Sequence, residues 1–295
     1  MINKGTIMVI VAVLVSVFMA IACFYVYYYL RWKHLWSTID SMTPYAIKSE
    51  QRDILQVVMI GDSWAGLHHS TGMDSFLRLR LGNLIRKDVA VMSCGKGGEK
   101  TRGVYKLMFE TGEYGTKQLL SQAPDYCVVF TGINDAAANL GPKQYCFYYR
   151  RIIEFLLQNR IRPVVIEIPD VNIWHLYGRK PIKDLVTDFV KSTMTHCRMY
   201  SFKAYREALD KMLEECYRDS GIVFVRMTDW NHNSPQIDNN LFLTDQIHLN
   251  QLGYEKLDSC IAQAIATDLS SKESVDASLA NEPMRHNPQA GGQND

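Results

Sequence analysis

Short apolar segments rich in valine and isoleucine recur along the chain between residues 56 and 227. None alternates cleanly between apolar and polar positions, which is typical of strands that are buried on both faces of a sheet. The spacing between successive segments leaves room for a crossover helix each time. The predicted strands are Gln56–Ile60, Asp88–Met92, Tyr126–Thr131, Pro163–Ile168 and Ile222–Met227.

Helical periodicity appears between and after these segments. In Met73–Arg86, apolar residues recur mostly three or four positions apart, which predicts an amphipathic helix. Further helices are predicted over Tyr145–Asn159, Ala204–Tyr217 and Gln251–Leu269. Alternating strands and helices predict a five-stranded parallel sheet covered on both faces, which is a three-layer α/β/α sandwich.

The N-terminal segment differs from the rest of the chain. Residues 7–30 carry no charge, and about 20 apolar residues suffice to cross a bilayer as a helix. Tyrosines and Trp32 crowd the end of this segment, where the aromatic belt of a membrane helix lies, and Arg31 and Lys33 close it. The pattern predicts a single-pass transmembrane anchor within residues 1–34.

Other interpretations of this segment stay open. Ala20-Ile21-Ala22 has the small-x-small form of a signal-peptidase site, so the segment could be cleaved. Cys23 could carry a lipid, although Ala20 and Ile21 fit a lipoprotein signal poorly. The side of the membrane also stays open, because the excess of positive charge after the span and the unpaired cysteines favour a cytoplasmic domain without deciding it.

Composition divides the remainder of the chain into three parts. Of the 295 residues, 47% are hydrophobic, which is enough for one sizeable core. A juxtamembrane linker is expected over residues 35–50 and a single domain over residues 51–269. From Ser270 the chain is polar without apolar periodicity, which predicts a disordered tail over residues 270–295.

Charge and cysteine content argue against several functional classes. The 32 Lys and Arg residues nearly balance 31 Asp and Glu residues, so no electrostatic argument favours nucleic acid as a partner. The seven cysteines are odd in number and lack a CxxC pair, which argues against a disulfide framework and a zinc site. The side chains of the adjacent His68 and His69 should diverge, and no third ligand is evident, so no metal is expected.

Glycine-bearing polar sequences follow the first three predicted strands. They are Gly61-Asp62-Ser63, the stretch SCGKGGEKTR over residues 93–102, and Gly132-Ile133-Asn134-Asp135. Each could be an ordinary turn or helix cap. The carboxyl ends of parallel strands meet at one edge of a sheet, however, and ligands bind outside that edge. Each sequence therefore offers a hydrogen-bonding group at the same place.

A later pair, Asp245 and His248, completes a candidate nucleophilic site. A serine hydroxyl needs a base within reach and a third group that orients the base. The spacing lets Asp245 hold one ring nitrogen of His248 while the other nitrogen faces Ser63. An oxyanion could then accept hydrogen bonds from the backbone of Ser63 and Gly98 and from the amide of Asn134.

These segments resemble the four sequence blocks of the SGNH hydrolases, also called the GDSL esterase/lipase family. The resemblance extends from about Val57 to Tyr254 and includes the order of the blocks. It implies a flavodoxin-like fold and cleavage of esters or thioesters without a metal or organic cofactor. It also implies site roles: nucleophile Ser63, base His248, orienting residue Asp245, and oxyanion hole Ser63, Gly98 and Asn134.

The chain departs from the family pattern in two places. Trp64 follows the serine, where the family often has a small or aliphatic residue. The second block is the loosest match, so Gly95 or Gly97 could supply the oxyanion-hole glycine instead. Gly98 is preferred because Arg102, four residues later, resembles the GxxxR of some carbohydrate acetylesterases.

Aromatic residues near the site could bind a sugar. Trp64, Trp174 and Tyr177 could form a substrate wall, because aromatic faces suit the apolar faces of sugars. For Trp174 and Tyr177 the alternative is a packed surface loop.

The sequence therefore predicts a membrane-anchored serine esterase that acts on small acyl esters. Its expected substrate is an O-acetyl group on a glycan or glycolipid, and the expected intermediate is an acyl-enzyme. Three alternatives remain: an O-acyltransferase that uses the same site, a lysophospholipase or thioesterase, and a non-catalytic binding module. No cofactor and no nucleic-acid partner are expected.

Overall fold

Five parallel strands form one sheet in the order β2-β1-β3-β4-β5. The computed structural model describes residues 3–37, 40, 42–48, 52–173, 180–218, 220–227, 230 and 239–280. The strand order is the flavodoxin-like one, as predicted. The strands are β1 (Leu55–Gly61), β2 (Val89–Gly95), β3 (Tyr126–Phe130), β4 (Arg162–Ile166) and β5 (Val223–Val225).

Helices cover both faces of the sheet. The helix α3 packs against the last helix, α10, while α4 and α9 pack against α7. The sequence pattern does not predict α2, α4, α5 or α6, which are too short to display a helical period, and it also misses α8. The helices are α1 (Lys4–Ser37), α2 (Ser63–Ser70), α3 (Met73–Ile85), α4 (Thr101–Leu107), α5 (Lys117–Leu120), α6 (Ile133–Ala137), α7 (Pro142–Gln158), α8 (Ile182–Thr195), α9 (Phe202–Tyr217) and α10 (Gln251–Ala280).

The register of the sheet brings the ends of three strands together. Gly61 pairs with Gly95 on one side and with Phe130 on the other. Every residue of β3 is at most 2% exposed, which explains why its sequence shows no alternation. Because these strands end side by side, the loops that follow them start at one edge of the sheet.

Several element ends differ from the sequence prediction, and β2 continues three residues beyond its predicted end, to Gly95. The strands β4 and β5 stop early because the buried carboxylate of Glu167 accepts the N–H of Met227 at 2.6 Å, which replaces a ladder bond. The helix α10 continues to Ala280, whereas disorder was expected from Ser270. The hydroxyls of Ser270 and Ser271 donate to the carbonyls of Ala266 and Thr267, one turn earlier, so these polar side chains find their acceptors on the helix itself. Residues 281–295 lie outside the described residues.

The helix α1 contains an apolar stretch, Lys4–Lys33, within which a window of 18 residues has a mean hydropathy of 3.0 and is not buried. A helix of this length and composition suits a membrane anchor or a signal sequence. The chain that follows is fastened to the domain, because Arg102 on α4 donates two hydrogen bonds to Asp40, at 2.6 and 3.1 Å. The hydrogen bond from Arg102 is the main cause that lowers the pKa of Asp40 to about 2.

The far end of α2 is fixed by a buried histidine. His68 Nε2 lies 2.9 Å from a carboxylate oxygen of Asp258 on α10, and its Nδ1 lies 2.9 Å from Asp74 on α3. Ser93 on β2 completes the group, with its hydroxyl 2.9 Å from Nδ1. Burial alone would lower the pKa of His68, but the two carboxylates outweigh it and raise the pKa to about 9. The imidazolium thus ties α2 to both helices.

This ion group predicts a pH dependence of stability. A histidine whose folded pKa is raised stabilises the fold fully below its ordinary pKa, and this contribution is lost as the pH rises through the folded value. We therefore expect the free energy of unfolding to fall between pH 6.5 and about 9, by on the order of 3 kcal/mol. Urea unfolding of the detergent-solubilised chain at several pH values measures this fall.

The variant His68→Gln cannot become charged, so its unfolding free energy should change much less over the same pH range. The variant His69→Gln is the matched control, because the neighbouring side chain is 62% exposed. An equally steep pH dependence in His68→Gln and in the wild type would contradict the assignment.

Candidate active site

Ser63 stands where β1 gives way to α2. The N–H of Asp62 donates to the carbonyl of Phe130 at 3.1 Å, and the Asp62 side chain caps α2 by accepting the N–H of Trp64 at 3.0 Å. Gly95 makes this junction possible, because a Cβ there would lie 2.2 Å from the Asp62 carbonyl oxygen. The first turn of α2 can therefore pack directly on the end of β2, which holds Ser63 at the carboxyl edge of the sheet.

Ser63 faces a histidine that comes from the opposite end of the domain sequence. The Ser63 hydroxyl lies 2.9 Å from His248 Nε2. His248 Nδ1 lies 2.6 Å from Asp245 Oδ2. The sequence-predicted group of Ser63, Asp245 and His248 is thus brought together as one hydrogen-bonded series.

The orientation of the Asp245 carboxylate defines which ring nitrogen of His248 accepts a proton. Its Oδ1 accepts the backbone N–H groups of Ile247 and His248, at 2.9 and 3.0 Å, which leaves Oδ2 for the imidazole. Burial alone would raise the pKa of Asp245, but these hydrogen bonds and the one from the His248 ring outweigh it and lower the pKa. An ionised carboxylate only accepts, so Nδ1 carries the proton and Nε2 is free to accept from Ser63.

The loop that carries this pair is held by its own backbone. The N–H of Leu243 donates to the carbonyl of His248 at 2.7 Å, which closes the loop at its base. Gln246, between the two polar residues, has a φ of 59°, a left-handed conformation that is costly for a residue other than glycine. The amide of Asn172 donates to the Gln246 side chain at 2.7 Å and supports that conformation.

Asn134, which follows β3, is hydrogen-bonded to the segments that follow β1 and β2. The helix α6 carries it, and its side-chain amide donates to Asp62 Oδ2 at 3.2 Å and to the carbonyl of Glu99 at 3.0 Å. Both amide hydrogens therefore have acceptors, one beside the serine and one in the loop after β2. This arrangement ties Asn134 to Asp62, the residue that precedes Ser63.

Two buried carboxylates support the loops around the serine. Asp62 is 0% exposed, and burial is the main cause that raises its pKa to about 7. Asp135 accepts the N–H and the hydroxyl of Thr101, both at 2.9 Å, and so caps α4 from the neighbouring helix α6. Burial likewise raises the pKa of Asp135, to about 6.

Gly98 occupies a tight turn beside Asn134. Its φ of 72° lies in the left-handed region that favours glycine, and a Cβ on it would meet open space. The turn is closed by the N–H of Glu99, which donates to the carbonyl of Lys96 at 3.2 Å. Of the alternative glycines, Gly95 ends β2 and is packed against α2, whereas Gly97 is open like Gly98.

The sequence model of the GDSL-like Lipase/Acylhydrolase family matches residues 59–256. This range starts within β1 and includes every strand end described above. The chain belongs to this family. Members of the GDSL-like family are serine hydrolases that cleave ester bonds.

Solved structures share the fold at low sequence identity. A lipase/acylhydrolase from Enterococcus faecalis is 17% identical, covers 72% of this chain and 96% of its own, and has a TM-score of 0.52. The acetyl xylan esterase AlAXEase is 16% identical, with coverages of 72% and 100% and a TM-score of 0.52. TesA is 13% identical, with coverages of 72% and 99% and a TM-score of 0.51. No curated protein matches the chain.

Within this GDSL-like hydrolase, the proposed substrate wall is wrong for Trp64. Its side chain is 1% exposed and stacks on Phe130 with ring centroids 4.4 Å apart. It points into the core because it is the second residue of α2, on the face that packs on the sheet. Trp174 and Tyr177 lie outside the described residues.

Arg102, whose GxxxR-like position favoured Gly98 in the sequence, makes its contacts away from Gly98. It binds Asp40 in the segment after α1 and lies over the ring of Tyr148, so its guanidinium fastens that segment to the domain. From the sequence, Asp135 was a possible helix cap and Asp62 had no role of its own. The signal for a supporting role was position, since each adjoins a predicted site residue at a strand end.

Among the described residues, no group of three or more His, Cys, Asp or Glu side chains could hold a metal ion. The ring nitrogens of His68 face Asp74 and Asp258, and His69 also contacts Asp74. Both adjacent histidines therefore have carboxylate partners within the fold.

The buried position of Trp64 predicts a loss of stability on truncation. Trp64→Ala should lower the free energy of unfolding by about 3–5 kcal/mol, because a cavity replaces a stacked ring. Trp64→Phe keeps an aromatic ring against Phe130 and should cost clearly less. Urea unfolding measures both variants. A Trp64→Ala protein with wild-type stability and only a raised KM would restore the substrate-wall role.

Proposed function

We propose that this hydrolase is a membrane-anchored serine esterase that removes small acyl groups through an acyl-enzyme on Ser63. Its preferred substrate is an O-acetyl group on a glycan or glycolipid. The observation that carries the proposal is the series of hydrogen bonds from Asp245 through His248 to the Ser63 hydroxyl, 2.6 and 2.9 Å long.

In the first half-reaction, Ser63 Oγ attacks the acyl carbonyl carbon while His248 Nε2 takes the hydroxyl proton. The ionised Asp245 stabilises the resulting imidazolium through Nδ1. The tetrahedral intermediate then breaks its bond to the leaving alkoxide oxygen, and His248 returns the proton to that oxygen. The products are a free alcohol and an acyl ester on Ser63.

The developing oxyanion is stabilised by donors at the same edge. The N–H of Ser63 belongs to the first turn of α2, where N–H groups have no intrahelical acceptor. The N–H of Gly98 and the amide of Asn134 are the other two donors. For Asn134 this requires that one amide hydrogen leaves Asp62 or the Glu99 carbonyl, its acceptors in the structure. Each such donor contributes a rate factor of about 10²–10³.

In the second half-reaction, water replaces the alcohol. His248 Nε2 takes a proton from water as its oxygen attacks the acyl carbonyl, and it then returns a proton to Ser63 Oγ as the ester bond breaks. A carboxylic acid leaves, and the free serine is restored.

Packing beneath the serine supports a short acyl group. Trp64 stacks on Phe130, and Phe242 packs against the Trp64 ring at 6.5 Å between centroids. These rings fill the core side of α2, so an acyl chain cannot pass beneath this helix into the domain. The acetyl xylan esterase AlAXEase, which shares the fold, is consistent with an acetyl group on a sugar.

The nucleophile is tested with a fluorophosphonate probe. The full chain in detergent should be labelled once, on the peptide that contains Ser63, because only a serine paired with a base reacts readily. Ser63→Ala should abolish both labelling and turnover of p-nitrophenyl acetate, and His248→Ala should depress both strongly. Ser70→Ala, at the other end of α2, is the matched control and should keep both. Labelling that persists in Ser63→Ala would overturn the proposal.

The acyl group is tested with p-nitrophenyl esters of increasing chain length. We expect kcat/KM to be highest for acetate and to fall as the chain lengthens, because the aromatic rings below α2 leave no space for it. O-acetylated oligosaccharides should release acetate, which is measured by chromatography. A preference for long chains would instead assign the protein to the lysophospholipases or thioesterases.

A further inference from the structure

The helix α8 carries an exposed apolar stripe. Ile182, Val186 and Phe189 are 80%, 42% and 60% exposed. Their spacing of four and three residues places them on one face of the helix. Scattered apolar residues on a surface are ordinary, but a stripe along one helix marks an interaction surface.

The opposite face of α8 is firmly packed on the domain. Asp188 is 3% exposed, and it accepts hydrogen bonds from Lys180 and from the Tyr200 hydroxyl, both at 2.7 Å. Lys191 donates to the carbonyl of Ala138 at 3.3 Å, at the end of the helix that carries Asn134. The stripe is therefore presented outward by a helix that contacts the candidate site.

The same helix contacts the end of α1. Lys191 Nζ lies 4.4 Å from the centre of the Trp32 ring, near the end of the apolar stretch. Trp32 and Lys191 also line a cavity of about 440 Å³ together with Lys100 and Ala138. Lys100 lies in the loop after β2 and Ala138 directly follows α6, so the end of α1 adjoins the segments that leave the carboxyl edge of the sheet.

We propose that α8 is a second membrane-contact element, whose apolar stripe enters the boundary between lipid headgroups and acyl chains. This contact lays the carboxyl edge of the sheet, with Ser63, against the bilayer. The inference rests on α1 as a membrane anchor and deepens the proposed function: the ester substrate is carried by a lipid of the same bilayer, as in an O-acetylated glycolipid.

Continuity with α1 favours the bilayer over a second copy of the chain. An aromatic residue near the end of an apolar span lies at the headgroup level, and α8 touches that residue. Interfacial helices combine such an apolar face with lysines at its borders, as the exposed Lys183 provides here. A stable dimer interface needs about 20–30 residues on each side, far more than this stripe offers.

Photo-cross-linking tests the contact. The full chain is inserted in nanodiscs of radiolabelled phosphatidylcholine, with p-benzoylphenylalanine at position 189. The matched control carries it at position 79 on α3, because Leu79 is 58% exposed and Phe189 is 60% exposed. We expect several-fold more labelled lipid on position 189 than on position 79. Equal labelling at both positions, or a cross-linked dimer from position 189, would overturn the proposal.

The consequence for substrate is tested with Phe189→Asp and the matched Leu79→Asp. Each is assayed in nanodiscs against an O-acetylated glycolipid in the bilayer and against soluble p-nitrophenyl acetate. Relative to Leu79→Asp, Phe189→Asp should lower the ratio of bilayer to soluble turnover by about tenfold. An unchanged ratio would refute the bilayer-borne substrate.

These experiments separate the two proposals. If wild-type protein hydrolyses neither ester, the esterase proposal fails, while the cross-linking result still decides the membrane contact of α8. If hydrolysis occurs but lipid labelling is equal at both positions, the esterase proposal stands and the role of α8 fails.

Discussion

The buried carboxylate of Asp62 is the interaction on which the geometry of the site depends. It caps the helix that starts with Ser63 and accepts the amide of Asn134, so it joins the ends of β1 and β3. Its burial is costly for the charged form, which is why its pKa is raised to about 7. The surrounding backbone offsets part of this cost with the N–H of Trp64. Without this carboxylate, the amide of Asn134 would keep the carbonyl of Glu99 as an acceptor but would lose its hydrogen bond to the residue before Ser63.

The two histidine–carboxylate groups of the domain differ in their surroundings, and for this reason one has a structural role and the other a chemical role. His68 has carboxylates at both ring nitrogens and is fully buried, so it is held as a cation that connects α2 to two other helices. His248 meets one carboxylate, at Nδ1, and keeps Nε2 for the Ser63 hydroxyl. The first group stabilises the helix that the second group uses, since Ser63 begins α2 and His68 lies near the other end of the same helix.

The end of α1 lies beside the segments that leave the carboxyl edge of the sheet. The helix α1, the loop after β2 and the end of α6 share one cavity, and α8 contacts both α1 and α6. Lysines from the loop after β2 and from α8 line this cavity. The exposed stripe of α8 thus belongs to a helix that is fixed to both of these neighbours.

The sequence by itself determined which segments carry the candidate chemistry. These are three polar strand ends and a later Asp–His pair, and local patterns indicated Ser63, Asn134, Asp245 and His248 within them. The sequence-based prediction succeeded because buried parallel strands have continuous apolar runs, and the topology of the sheet brings the groups at their ends to one edge.

Only the tertiary structure decided that Trp64 is buried, that Arg102 binds Asp40, and that Asp62 and Asp135 support the loops. Those outcomes depend on contacts between residues distant in sequence, such as the 62 positions between Asp40 and Arg102, which no local periodicity records. The exposed stripe of α8 was also decided by tertiary structure. An apolar helical period by itself predicts a buried face, but the opposite face of α8 packs on the domain and the apolar stripe is exposed.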